Sequence, residues 1–203
     1  MAKILLHDCC APCGAYVLEK LLNDKNEVFV YFFNPNIFPN LEFERRKNEM
    51  KNFCFQKNVE FKEEPYLHDE WLKDVLGLEL EPEKGKRCQV CIGKRLEKAA
   101  MFAKENNFTH FATTLSVSPH KDAEFINKIG KELAEKFGLI FVEDIWRKNN
   151  GYLKSVELSK KMGFYRQKYC GCEYSKNPLP TPRLRQAGKH QVPNPKKAPN
   201  PKK

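Results

Sequence analysis

Three of the chain's eight cysteines fall within His7-Asp8-Cys9-Cys10-Ala11-Pro12-Cys13-Gly14. Thiols make a poor turn but good soft-metal ligands or redox groups. Two further pairs follow, Cys88-Gln89-Val90-Cys91 and Cys170-Gly171-Cys172. The apolar run Ile4-Leu5-Leu6 before the first group predicts a buried strand, and Gly14 to Leu22 after it predicts a helix. Cys9, Cys10 and Cys13 then stand where backbone N–H groups and the helix dipole favour thiolate over thiol.

The CxxC spacing of Cys88 and Cys91 lets two sulfurs face one metal or cluster. Zinc needs four tetrahedral ligands, usually from two CxxC knuckles, and adjacent Cys9 and Cys10 at a strand end fit that design badly. A four-iron cluster tolerates irregular spacing, so the ligand layout favours iron–sulfur over zinc. Cys170 and Cys172, one residue apart, can close a small strained disulfide of the redox-active kind, with Gly171 permitting the backbone. The alternative is that they are two more metal ligands. Cys54 lies between aromatics in a predicted helix and reads as a buried structural thiol. Asp122 can be a metal ligand, a proton donor or an ordinary helix cap, and Asp8 carries the same ambiguity. His7 either orders the cysteines or is hydrogen-bonded in the core. His68, His110 and His190 show no cluster.

The elements that must carry these groups alternate. Strands are expected at Lys3 to His7, Glu27 to Phe33, Val59 to Lys62, Thr109 to Leu115 and Leu139 to Val142. Helices are expected at Gly14 to Leu22, Pro39 to Lys57, His68 to Leu76, Ile92 to Glu105, Ala123 to Phe137 (with Gly138 as C-cap) and Ser155 to Lys161. Such alternation predicts an α/β fold, a parallel sheet with helices on both faces. Three marked stretches, Cys9 to Cys13, Asn34 to Asn36 and Ser118 to Asp122, follow strands and would share the carboxyl edge. Neither GxGxxG nor GxxxxGK[ST] occurs, which argues against a nucleotide in the first turn.

The chain has 203 residues, 41% hydrophobic, enough for one sizeable core. We expect a catalytic domain over 1–176 and a tail over 177–203. The tail holds seven Lys or Arg, no acid and seven of thirteen prolines, and ends in the near-repeat NPKKAPNPKK. That composition predicts disorder, as a basic arm for phosphate backbone or a solubilising end. No secretory signal or membrane span is read in the sequence. A cytoplasmic protein is expected, where eight cysteines are metal ligands or redox thiols rather than bridges.

The motifs from His7 to Cys13, together with Tyr31-Phe32-Phe33-Asn34-Pro35-Asn36-Ile37, Cys88 to Cys91, Thr113-Thr114-Leu115-Ser116-Val117-Ser118-Pro119 and Tyr169-Cys170-Gly171-Cys172-Glu173-Tyr174-Ser175, resemble epoxyqueuosine reductases of the QueH type. They occur in that family's order across residues 3–176. The resemblance implies a Rossmann-like, PP-loop/HUP-like sheet, although a Gly-rich PP-loop is missing. It implies cobalamin-independent reduction of the epoxide of epoxyqueuosine in a tRNA anticodon loop, the last step of queuosine biosynthesis. It also implies a 4Fe–4S cluster on Cys9, Cys10, Cys88 and Cys91, a redox-active pair at Cys170 and Cys172, and a second iron, for which Cys13 is the candidate. Asp122 is the candidate proton source. Partners would be that tRNA and an unidentified electron donor, with no membrane. Candidates for base stacking are Phe32, Phe33, Phe38, Tyr165 and Tyr169, and for phosphates Arg45, Arg46, Arg87, Arg95 and Arg166. A zinc-stabilised nucleic-acid-binding module and a thiol oxidoreductase are the competing readings.

Overall fold

The computed structural model describes residues 1–176. The tail expected to be disordered, with His190, lies outside the described residues. Five parallel strands form one sheet: β1 (Lys3–His7), β2 (Glu27–Phe32), β3 (Phe61–Glu63), β4 (His110–Thr113) and β5 (Ile140–Phe141). Their order is β3-β2-β1-β4-β5. β1 is central because its side chains are apolar towards both faces, as a strand covered on two sides requires.

Helices α1 (Ala11–Asn23), α2 (Asn40–Gln56) and α6 (Gly151–Met162) pack on one face, over Ile4, Leu6, Val28 and Val30. Helices α4 (Lys86–Glu105) and α5 (Ala123–Phe137) pack on the other, over Leu5, Tyr31 and Phe111. Successive β1 residues thus feed alternate cores, the period-two rule of a strand. Short helices α3 (His68–Asp74) and α7 (Glu173–Lys176) complete the chain to 176. Cys54 is fully buried in the first core, as expected of a structural thiol. Gly138 ends α5 with φ 65°, the expected left-handed cap.

The register positions the site. His7 pairs with Tyr31 of β2 and Thr113 of β4, so three strands end level with one another. The loops after β1, β2 and β4 therefore leave the sheet together. The order reverses between β1 and β4, the place where open parallel sheets leave a crevice.

Two boundaries differ from expectation in ways that matter. α1 begins at Ala11, so Cys10 is its N-cap and Cys13 lies in its first turn. Pro12, at the second helical position, is a residue helices accept there because its missing N–H would be unpaired anyway. α4 begins at Lys86, six residues before the expected start, which puts Cys88 and Cys91 on the helix rather than in a loop. Pro39 stands just outside α2 as its N-cap instead of in its first turn.

Candidate metal and thiol site

Asp8 continues the β1 ladder, donating its N–H to Tyr31 O at 2.9 Å. The next two residues are cysteines, and α1 then turns Cys13 back toward them. The Cys9, Cys10 and Cys13 sulfurs lie within 4.8 Å of one another, the only such His/Cys/Asp/Glu group among the described residues. Gly14 is required here by space. A Cβ would stand 2.3 Å from Asp8 Oδ1 and 2.9 Å from Met50 Cε.

The triad holds negative charge. Hydrogen bonds from Cys10 and Cys13 hold Cys9 well below the usual thiol range, and Lys121 and Arg95 add to this. Cys13 is pushed well above it because it donates to Cys10 and Cys9. Gln167 Nε2 donates to Cys10 Sγ at 3.0 Å, and Thr114 Oγ1 lies 3.7 Å from Cys9 Sγ. The buried Asp8 carboxyl accepts from Thr114 at 3.1 Å through Oδ1, while its Oδ2 has no partner. Burial holds that carboxyl well above its usual range. His7 is a core histidine. Its Nδ1 pairs with Thr113 Oγ1 at 2.9 Å and its Nε2 with Phe33 O at 3.2 Å, and burial lowers its pKa to about 3.

The other cysteine pairs line an adjoining cavity. Cys88, Cys91, Cys170 and Cys172 face it, together with Trp71, Arg95, Lys121 and Asp122. A second, larger pocket is lined by Cys9, Cys10, Cys13 and again Cys170. Cys170 and Lys121 therefore stand on the wall that the two share. The three post-strand loops meet at these pockets: His120 and Lys121 line both, with Cys9, Cys10 and Cys13 in one and Asn36 in the other. Asn34 ties the first two loops together, its Nδ2 donating to Asp8 O at 2.7 Å while its Oδ1 accepts from Arg95 at 3.2 Å.

Lys121 Nζ sits 2.8 Å from Cys170 Sγ. Burial alone would raise the Cys170 pKa, but the Lys121 and Arg95 charges outweigh it and hold the thiol below its usual value. Cys172, 6% exposed, is pushed up to about 11 by burial and by Cys170. Burial likewise raises Cys88. The Cys170–Cys172 loop is held by its backbone. Arg46 donates to Cys170 O at 3.0 Å, Phe38 N to Gly171 O at 2.9 Å, and Ser175 Oγ to Cys172 O at 2.8 Å. Gly171 has φ 141°, which only glycine takes without strain. Behind the loop, His68 Nδ1 bonds Pro35 O at 2.8 Å and its ring stacks near Tyr66 and Trp71. All eight cysteines are free thiols.

Several expected roles change. Phe32 and Phe33 are buried in the core and cannot stack on a base. Arg46, Arg87 and Arg95 are buried too. Arg46 pairs with Glu42 at 2.7 Å, Arg87 donates to the Leu78, Glu79 and Glu81 carbonyls, and Arg95 donates to Cys91 O and Asn34. None of the three can meet a phosphate. Arg45 is exposed and lies over the Tyr165 ring at 3.4 Å. Asp122 caps α5, its Oδ1 accepting from Glu124 N and Phe125 N, and also lines the cavity. Sequence reading missed Lys121 and Gln167. The only hint of Lys121 was its place in the marked turn before a capping aspartate.

The donor set suits a soft cation or an iron–sulfur group: clustered sulfurs, an unpartnered buried Asp8 oxygen, and two cations beside the thiolates.

Comparison with known proteins finds relatives over most of the chain. The family model described as "Epoxyqueuosine reductase QueH" matches residues 4–178. A protein of that name from Acinetobacter baylyi is 43% identical over 85% of this chain and 80% of its own length. Those from Streptococcus pyogenes and Thermotoga maritima are 42% and 37% identical, over 85% and 86% of this chain and 70% and 91% of theirs.

Proposed function

The chain belongs to the epoxyqueuosine reductase QueH family, and from that premise we propose that it removes the epoxide oxygen of epoxyqueuosine in tRNA, leaving the cyclopentene of queuosine. The observation that carries this reading is the convergence of seven of the eight cysteines on two adjoining pockets at one sheet edge.

Removing an epoxide oxygen consumes two electrons and two protons and releases water. Oxidising the Cys170 thiolate and the Cys172 thiol to a disulfide supplies two electrons and one proton, and the second proton comes from an acid on the cavity wall, so the step balances. The residues are prepared for it unequally. The Lys121 ammonium keeps Cys170 as the thiolate, and burial keeps the proton on Cys172. Arg46 holds the Cys170 carbonyl, and Ser175 holds that of Cys172. Asp122, on the cavity wall, is the candidate for proton delivery.

Cys9, Cys10, Cys88 and Cys91 would hold a 4Fe–4S cluster, and Cys13 a second iron. Such a cluster would supply one-electron redox chemistry beside the dithiol. Arg95 lies in the field of Cys91, Cys170, Cys9 and Cys88 and offsets their charge. Among the described residues, no helix is long and apolar enough to cross a membrane.

Anaerobic purification with iron, sulfide and zinc analysis tests the site. About four irons with matching sulfide is the expected outcome, and a colourless zinc protein would overturn it. Single turnover on epoxyqueuosine tRNA by chemically reduced Cys170→Ser tests the pair. Full retained activity would remove it from the electron path.

A further inference from the structure

Between residues 145 and 172 the chain carries seven Lys or Arg against one acid, Glu157. This segment contains α6 and the loop after it, and it forms one wall of the open thiol pocket through Tyr152, Ser155, Arg166 and Lys168. Lys148, Lys154 and Lys168 are exposed, and none is ion-paired among the described residues. Tyr152 is 36% exposed beside the same pocket. Elsewhere among the described residues about half of the exposed lysines are ion-paired. On α5, Lys131 pairs with Glu143 at 3.1 Å and Lys128 lies 4.0 Å from Glu132. The groove there is lined by Glu124, Glu132, Glu135 and Glu143, which would repel a polyanion.

We infer that the wall formed by the start of α6 and the loop after it is the surface on which the anticodon arm of the substrate tRNA docks. This inference rests on the function proposed above. Lys148 and Lys168 take backbone phosphates, and Tyr152 stacks on a loop base at the pocket mouth. The chemistry is that of a single-stranded nucleic-acid groove: unmatched cations along the backbone path and an aromatic face for a splayed base. The placement brings a base held at Tyr152 to the pocket that Cys9 and Cys170 line. Arg166, half-buried on Ser159 Oγ at 3.2 Å, stiffens the loop that carries Lys168.

The test uses the full chain and a fluorescein-labelled anticodon stem-loop RNA, with Kd measured by anisotropy across a salt series. Lys148→Ala/Lys168→Ala should flatten the log Kd against log salt slope by about two, one per lost phosphate contact. Lys128→Ala/Lys131→Ala should leave it unchanged. Tyr152→Ala should weaken loop binding by at least about fivefold and leave binding of a loopless duplex unchanged. In turnover on epoxyqueuosine tRNA, the lysine pair should raise KM with kcat retained. Equal slopes for the two double variants would overturn the docking surface. If wild type turns over substrate and the α6 variants match it, the surface fails and the reductase reading stands. If wild type binds the stem-loop with the expected lysine dependence but never reduces the epoxide, the surface stands and the reductase reading fails.

Discussion

The Cys9–Cys10–Cys13 triad and the Cys170–Gly171–Cys172 loop present thiols to the same pocket by opposite means. The triad is an extension of the core. Its first residue follows a central strand, its last lies in a helix, and Gly14 lets the Asp8 carboxyl press against that helix. The loop belongs to no strand or long helix and is held by hydrogen bonds from Arg46, Phe38 and Ser175. Charge is set differently as well. Thiols in the triad share a negative charge chiefly through hydrogen bonds among themselves, with Lys121 and Arg95 adding to it, whereas the loop's Cys170 draws on the Lys121 and Arg95 cations. A site that must hold a rigid inorganic group gains from the first construction. A pair that opens and closes a bond gains from the second.

Cys170→Ala breaks the comparison most severely. Turnover should fall by about a thousandfold or more, because the redox role proposed for this thiol has no substitute, while iron content stays at the wild-type level. Cys9→Ala should lose both. Parallel loss of iron in the two variants would mean that the loop is part of the metal site. The glycines separate the regions next. Gly14→Ala forces a carbon against Asp8 Oδ1 and Met50 and should cost about 2 kcal/mol, or a melting shift of about 4–8 °C, together with iron. Gly171→Ala strains a backbone at φ 141° by about 1–3 kcal/mol, and local opening of the loop absorbs that strain. Its melting temperature should stay near wild type, with slower disulfide closure read by mass spectrometry after oxidation.

The same contrast decides what could be read in the sequence. β1, β2 and α5 announce themselves by apolar runs, β-branched residues and a glycine cap, so the parallel sheet and its carboxyl edge were legible. The triad was legible because it is local to that edge. The start of α4 was not. Lys86 to Cys91 follow an acidic loop, and Arg87 draws that loop onto the helix through three carbonyls, a tertiary contact that periodicity does not carry. Arg46 and Arg95 read as surface cations because arginine is seldom fully buried. Their partners are Glu42, a carbonyl 124 residues away and Asn34, visible only once the chain has folded.

Lys121→Met sharpens the charge contrast with a smaller effect. Cys170 has a folded pKa below its unfolded value of about 8.5, so the pairing contributes stability above that value and loses it as pH falls through the folded pKa. Without Lys121, burial dominates and the thiol rises. Iodoacetamide labelling of Cys170, mapped by mass spectrometry, should show its pH midpoint move from below about 8.5 to above it, with the pH 7 rate falling about tenfold. Lys121→Arg should keep much of the wild-type profile. An unmoved midpoint in Lys121→Met would assign the charge to Arg95 instead.

The smallest effect is expected at Ser175. Its Oγ donates to Cys172 O at 2.8 Å and lies 3.4 Å from Gly171 N, so one hydroxyl braces both ends of the glycine link. The buried carbonyl would lose a neutral hydrogen bond in Ser175→Ala, worth about 1 kcal/mol, or about fivefold in the population of the closed loop. That opening should slow disulfide closure by about the same factor and leave the metal content and the alkylation midpoint of Cys170 unchanged. The triad, braced by the sheet, has no hydrogen bond with Ser175 to lose. If iron fell with closure in this variant, the two regions would be one cooperative unit, and the division of labour between them would have to be abandoned.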